Sequence, residues 1–584
     1  MTADPYLVLS DFRVWFPKRR GFVESLLRAR PEFVRAVDGV DLVVRKGEIF
    51  CLVGESGCGK TTTGKGILRL VEPHGGDVFV GVPPEALVEY DRAKVTGDPD
   101  ALEAIRRRWS LSYREKVRWT WKAFVFLLFA ALAGTVLSAA IAGLLLGAAG
   151  GRSAGTWGLL VAIAAGAVVG LVGTLPPVKA TRRVPTIQAL FTIPAVLLGH
   201  LVGGAFAALG SGDGVAIASV LGAYGAQWQT GFPILVLEHA VALLAAVETG
   251  RIAMDVWQRR RGIEADKLRK LRKTLQIVFQ DPYESLNPKH SVYDIVAEPL
   301  VVNRITRSRL ETETRVEKAL DDAGLRPARD FMFRYPHELS GGQRQRVCIA
   351  GALVLDPDFL VADEPVSMLD VSIRTEILET LLELREKKGL TYLFITHDLS
   401  LAWVIADRIG VMYLGKIVEM GPTKEVVKNP RHPYTKALIS VVPMPDPDRR
   451  HERIILRGER PDPGDIPRGC RFHPRCPVAF ETCGWAPDEL LEDLREMLAM
   501  EEPARATAMD TARVEEPMTL LLPSGWEGWL RERIASRAEE VRSLKGITSV
   551  EVVPEGVRVT LHEFAEPPLK EAAPGIQAAC HLVG

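Results

Sequence analysis

Cysteine is scarce in this chain, at 7 of 584 residues, and that excludes a disulfide scaffold. Cys51, Cys58 and Cys348 sit in apolar or glycine-rich segments that suit a reducing cytosol, while Cys470, Cys476, Cys483 and Cys580 gather toward the C-terminal end. Net charge is lacking too. The 73 basic residues balance 73 acidic ones, so no global field argues for nucleic acid or for an acidic partner. Basic runs persist locally at Arg106, Arg107 and Arg108 and at Arg259, Arg260 and Arg261. The opening residues lack the basic start of a secretory signal peptide. A single core is excluded by length, because domains usually take about 100–200 residues.

Long apolar runs are what the chain does have. Four follow one another at 123–149, 157–175, 187–209 and 215–247. Each reaches the ~20 residues that cross a bilayer core. The alternative, a buried soluble bundle, needs a larger protein body around it than the sequence supplies. Basic residues precede the first run (Arg114, Lys116, Arg118, Lys122), fill the second loop (Lys179, Arg182, Arg183) and follow the last run (Arg251, Arg259). The other two loops carry only Arg152 and Asp213. This is the positive-inside pattern for four spans with both ends cytoplasmic. Glycine pairs at four-residue spacing, such as Gly143/Gly147 and Gly166/Gly170, suit close helix packing; a merely Gly/Ala-rich composition gives the same pairs.

Ahead of this insertion, Gly54-Glu55-Ser56-Gly57-Cys58-Gly59-Lys60-Thr61 fits the phosphate-loop pattern. An apolar strand over 48–53 leads into it, and a helix from Thr62 leads out. Backbone N–H groups freed by the glycines close around phosphates, Lys60 supplies charge, and the Thr61 hydroxyl ligates magnesium. Beyond the insertion, an apolar run over 359–362 delivers Asp363 and Glu364 to a strand end. Asp363 then holds magnesium through water and Glu364 takes a proton from the attacking water. An ordinary strand end followed by a turn reads the same way.

Leu339-Ser340-Gly341-Gly342-Gln343 resembles the signature of the ABC ATPase family. The resemblance implies an α/β fold: an ABC-type P-loop NTPase with a RecA-like core, an antiparallel β subdomain and a helical subdomain. To this the chain adds the four-helix transmembrane insertion and a cysteine-bearing C-terminal extension. By resemblance, Ser340, Gly341, Gly342 and Gln343 close on the nucleotide held by a partner subunit. Gln280 matches the glutamine that senses magnesium and the transmembrane partner, Asp370 the loop that communicates across the dimer, and His397 the histidine on the γ-phosphate. Phe16 matches an adenine-stacking aromatic, although an aromatic there also suits a core. Glu364, His397 and Gln280 are thus the catalytic candidates, with ATP and Mg2+ as cofactors.

Leu286-Asn287-Pro288, His432-Pro433-Tyr434-Thr435 and the segment from Gly469 to Pro477 look like the oligopeptide/dipeptide permease ATPases, and Val34 to Val40 looks like the F-type partner of that pair. This implies a second ABC ATPase subunit, two transmembrane permease subunits and an extracellular substrate-binding protein, at the lipid bilayer of the cell membrane, with no nucleic acid. In several members such cysteines ligate a 4Fe–4S cluster. Cys470, Cys476, Cys483 and Cys580 suit a cluster, a zinc ion or plain burial. A membrane-anchored regulatory ATPase, or an importer of another solute such as a sugar, are the rival functions. The expected units are 1–90 and 262–440 for the ATPase, 91–261 for the insertion and 441–584 for the extension. Within the last, 487–575 reads as a small inserted α+β unit, with helices over 489–500 and 526–544 and a hairpin over 549–561.

Overall fold

Alternating burial along Pro5–Pro17 (β1) puts Leu7, Leu9, Phe12 and Val14 on one face. That is the pattern of a strand covering a core on one side only. In the computed structural model β1 lies between Phe33–Arg45 (β2) and Gly75–Val80 (β4), antiparallel to both. The structure describes residues 4–18, 33–113, 265–442, 453–456, 458–503, 507–515 and 518–583. The apolar runs between 119 and 250 lie outside the described residues. Among the described residues, no helix is long and apolar enough to cross a membrane.

The strand Ile49–Val53 (β3) is buried along its whole length, as befits a parallel strand covered on both faces. It is flanked by Thr391–Thr396 (β7) and Arg408–Tyr413 (β8), parallel to both. Outside β7 come Phe359–Asp363 (β6) and then Leu275–Val278 (β5), again parallel. Outside β8, Lys416–Pro422 (β9) turns antiparallel. With Lys570–Ala573 (β14) and Ile576–Ala578 (β15) at the far edge, the sheet order is β14-β15-β9-β8-β3-β7-β6-β5. Its parallel half aligns the C-terminal ends of β3, β5, β6 and β7, which is where an open α/β sheet binds ligands.

Helices Val292–Val302, Arg309–Asp322 and Gly341–Leu353 pack over one part of this core. Helices Pro84–Thr96 and Pro99–Trp109 fold against β4 around buried Asp77. The Asp77 carboxylate accepts from Tyr90 (2.7 Å), Arg106 Nε (2.7 Å) and Ser110 (2.9 Å). By contacts, Met1–Ser112 and Asp266–Gly584 form one compact unit.

In the extension, Arg513–Glu515, Thr519–Leu522, Ile547–Val553 and Gly556–Leu561 (β10 to β13) make a separate antiparallel sheet in the order β10-β11-β13-β12. The hairpin expected over 549–561 is present. The helix expected over 526–544 is shorter, Glu527–Arg537, and a 3-10 turn at Arg542–Gly546 follows it. That turn buries Ser543 and Leu544. Lys570–Ala573 and Ile576–Ala578 (β14, β15) then return to the large sheet beside β9.

Candidate functional site

Strand β3 ends at Val53, and the loop 54–59 carries the chain into helix Lys60–Ile67. The loop closes on itself: Cys58 N–H donates to the Glu55 carbonyl at 3.3 Å, and Thr63 Oγ1 to the Gly59 carbonyl at 3.0 Å. Gly59 has φ 110, and a Cβ there would run into the Ala36 carbonyl, so only glycine fits. Buried Lys60 sits inside the loop, where Nζ donates to the carbonyls of Gly54 (2.8 Å) and Glu55 (3.0 Å). Ser56 and Gly57 are exposed at the loop's tip, Thr61 and Thr62 are half-buried, and Cys58 and Gly54 are buried. The helix N-terminus behind the loop favours an anion.

Because β5, β6 and β7 run parallel in register, their C-terminal ends bring three predicted residues together. Glu364 follows β6, Gln280 follows β5 and His397 follows β7. Glu364 Oε2 accepts from Gln280 Nε2 at 3.2 Å and lies 3.1 Å from His397 Nδ1. The Glu364 backbone holds a left-handed φ of 47, pinned by its N–H to the Ile395 carbonyl at 2.9 Å. Backbone strain of this kind persists only where its surroundings enforce it, and it clusters at functional sites.

Thr61 Oγ1 donates to Asp363 Oδ1 at 2.8 Å, linking the phosphate loop to the end of β6. Burial pushes the Asp363 pKa up, against the opposing pull of the Thr61 hydrogen bond and the Lys65 charge. A hydroxyl paired with a buried carboxylate is a hard-oxygen donor set, and it fits magnesium.

Ser340, exposed, caps helix Gly341–Leu353. Its hydroxyl accepts from Gln343 N–H (3.3 Å), and the Gln343 side chain accepts from Ser340 N–H (3.0 Å). Gly341 is nearly open, but a Cβ on Gly342 would lie 2.5 Å from Ile373 Cγ2. The second glycine therefore serves packing within the fold. Asp370 is exposed at the N-cap of helix Val371–Lys388, with no side-chain cap bond. Phe16, 39% exposed, pairs with Val34 at the end of β1. Its neighbour Trp15 is already engaged, stacked on His74 at 5.0 Å and donating Nε1 to Asp38 at 3.0 Å.

The four C-terminal cysteines converge. Cys470, Cys476, Cys483 and Cys580, all buried, line one cavity with His432, Phe472, His473, Phe480 and His581. Cys470 N–H donates to the Cys483 carbonyl at 2.8 Å, and β15 delivers Cys580 from beyond the small inserted sheet. Burial pushes the Cys470 thiol up to about 12 and Cys476 to about 11, and raises Cys483 and Cys580 as well. Such thiols stay protonated until a cation compensates the thiolate. Among the described residues, no group of three or more His, Cys, Asp or Glu is arranged to hold a metal ion.

Three residues at the loop escaped the sequence reading. Tyr434 Oη accepts from Glu55 N–H at 3.0 Å, the Arg475 guanidinium pairs with the Glu55 carboxylate at 2.9 Å, and Arg460 donates to the Ser56 carbonyl. Tyr434 and Arg475 lie in segments that carried the family resemblance, and that was the only available signal.

The family model described as ABC transporter matches residues 37–119 and 237–367, and that described as Oligopeptide/dipeptide transporter, C-terminal region, matches 418–483. A putative oligopeptide transport ATP-binding protein of Bacillus subtilis is 49% identical over 220 residues, 37% of this chain and 66% of that protein. A dipeptide transport ATP-binding protein of Haemophilus influenzae is 51% identical over 215 residues, 36% of this chain and 64% of that protein. A putative peptide import ATP-binding protein of Brucella ovis is 46% identical over 230 residues, 39% of this chain and 72% of that protein. The chain thus spans a little under two thirds of the first two relatives' own length.

Proposed function

Since this chain belongs to the ABC transporter ATP-binding proteins, we propose that it hydrolyses ATP to drive import of oligopeptides or dipeptides through partner permease subunits. The observation that carries this reading is the Glu364 carboxylate, which meets Gln280 and His397 beside the Thr61–Asp363 pair. ATP is the substrate. Lys60 and the loop N–H groups bind its phosphates, and Phe16, the free aromatic of its strand, stacks on adenine. Thr61 and Asp363 would hold magnesium, which would neutralise charge on the phosphates. Glu364 accepts the proton as water forms a bond to the γ-phosphorus; the bond to the β-phosphate oxygen breaks and ADP leaves. His397 and Gln280 orient water and γ-phosphate. Ser340, Gly341, Gly342 and Gln343 act on the nucleotide of a second ATPase subunit, and Asp370 lies at that junction.

In the assembled transporter, Glu364→Gln should keep ATP binding and lose about 10²–10⁴ in turnover. Hydrolysis at the parent's rate would sink the assignment.

Two finer readings accompany it. The cysteine cavity holds a 4Fe–4S cluster, supported by four buried thiols around one apolar space. Zinc is the alternative, but it needs sulfurs converging at ~2.3 Å on one point. Residues 119–250 cross the membrane four times and anchor the ATPase on the cytoplasmic side beside its permease. Their apolar runs and basic loops support this, and the gap at 120–236 between the two matched stretches of the ABC model takes in the first three runs and the larger part of the fourth. An extracellular binding protein delivers the peptide.

A further inference from the structure

We propose that Arg475 is a positioning residue for the nucleotide. By gripping Glu55 it fastens the phosphate loop to the cysteine lobe, so that the lobe's integrity sets ATP affinity. This rests on the reading of the loop as an ATP site, and on no particular occupant of the cysteine cavity.

Every polar group of Glu55 is engaged. Its N–H goes to Tyr434 Oη at 3.0 Å and its carbonyl receives Lys60 Nζ at 3.0 Å. Its carboxylate takes a forked contact from Arg475, with Nη1 2.9 Å from Oε2 and 3.2 Å from Oε1, and Nη2 3.2 Å from Oε1. Forked guanidinium–carboxylate pairs are strong because they fix orientation as well as charge. Nor is this a solvent-washed pair, for the side chains are 12% and 28% exposed.

The other end of the fork is equally constrained. Arg475 closes the 3-10 turn His473–Arg475, which lies between Cys470 and Cys476. His473, fully buried, meets the Cys470 carbonyl through Nδ1 (2.8 Å) and Glu489 through Nε2 (3.1 Å). Cys476 N–H donates to the His473 carbonyl at 3.2 Å. Tyr434, the second anchor of Glu55, packs at a tilt against Tyr413 and Phe472 in the apolar core that also contains Cys470, Cys476 and Cys483. A shift of the turn therefore moves Glu55, and with it the carbonyl that seats the Lys60 ammonium. Lys60 touches phosphate and Arg475 does not, so the effect belongs to binding rather than to the hydrolytic step.

The test uses the full chain in its assembled transporter, titrated with a fluorescent ATP analogue and assayed at saturating ATP. Arg475→Ala and Glu55→Gln should each weaken nucleotide binding about five-fold, the scale of one lost partly buried pair, and Arg475→Ala should keep kcat within two-fold of the parent. The double variant should be no weaker than either single one. The swapped pair Glu55→Arg with Arg475→Glu should recover part of the loss. Cys476→Ser should weaken binding in the parent but add nothing in the Arg475→Ala background. Parent-like binding by Arg475→Ala, or additive losses in the double variant, would overturn the proposal. So would a drop in kcat with unchanged affinity. Failure of the parent itself to bind the analogue is a different result, because it would remove the ATP site along with the clasp.

Discussion

Gly342 separates two reasons for a glycine. The signature pattern points to close approach of a phosphate, yet the nearest obstacle to a side chain at Gly342 is Ile373 Cγ2, 2.5 Å from the missing Cβ. Gly342→Ala should therefore destabilise the isolated chain by about 1–3 kcal/mol through overpacking, read as a lower denaturation midpoint. Ile373→Val, which shortens the other branch, should rescue little; Ile373→Ala should rescue most of it. A Gly342→Ala protein as stable as the parent would return the glycine to a phosphate role alone. Gly59 was legible without ambiguity, because its motif and its positive φ demand the same residue. Glu364 was legible as a strand-end carboxylate, but its left-handed φ was not, since backbone strain leaves no mark in residue order.

Among elements, the legible ones obey short-range rules. The buried strands β3, β6 and β7 show as apolar runs, the loop 54–59 shows by glycine spacing, and the hairpin β12–β13 shows by alternation. What stayed hidden is pairing between distant side chains. Arg475 and Glu55 are 420 residues apart, and Arg471 and Asp38 are 433 apart; an arginine's partner is chosen by the fold and not by spacing. Arg471 joins the cysteine loop to β2. It donates to Asp38 at 2.5 Å, to the Leu414 carbonyl at 2.6 Å and to Glu566 at 2.8 Å, and it is 7% exposed. Burial pushes the Asp38 pKa up, but the hydrogen bond and charge of Arg471, with Arg35 and Trp15, hold it below its ordinary value of 3.8. A depressed carboxylate contributes stability above its unfolded pKa and loses it as pH falls through the folded value. Arg471→Ala should thus cost about 1–3 kcal/mol near neutrality, because it leaves the buried Asp38 carboxylate with only Trp15 and the more distant Arg35 as partners. Arg471→Ala with Asp38→Asn should recover part of that loss, and the deficit should shrink below pH 3.8. Equal thermal midpoints for Arg471→Ala and the parent at pH 7 would refute this.

The cysteine lobe carries a chemical prediction at the same scale. Its fourth thiol arrives only after the chain has built a separate sheet and returned to β9 through β15. Sequence spacing alone cannot tell such a return from a stray cysteine. Protein purified without oxygen should be brown and contain iron and acid-labile sulfide, and Cys476→Ser should be colourless. Stoichiometric zinc in colourless parent protein would favour the single ion instead, and absence of any metal would leave four buried thiols.

At the scale of the whole molecule, chain order around the nucleotide site constrains the proposed four-span insertion. Lys60 precedes residues 119–250 and Gln280 follows them, yet β3 and β5 belong to one sheet. A segment that enters a bilayer from this domain must come back to the same face, so the number of crossings is even. Four apolar runs satisfy that, while three or five do not. The charge pattern agrees: Lys179, Arg182 and Arg183 would lie in the loop on the ATP side, and the loop around Arg152 would lie outside. A cysteine placed at Ser153 should therefore react with an impermeant thiol reagent added to intact cells. One placed at Thr181 should react only after the membrane is opened. The native cysteines lie outside residues 119–250, so unsubstituted protein supplies the background. Labelling at Thr181 but not at Ser153 would invert the topology, and release of the free subunit from membranes by alkaline carbonate would remove the spans altogether.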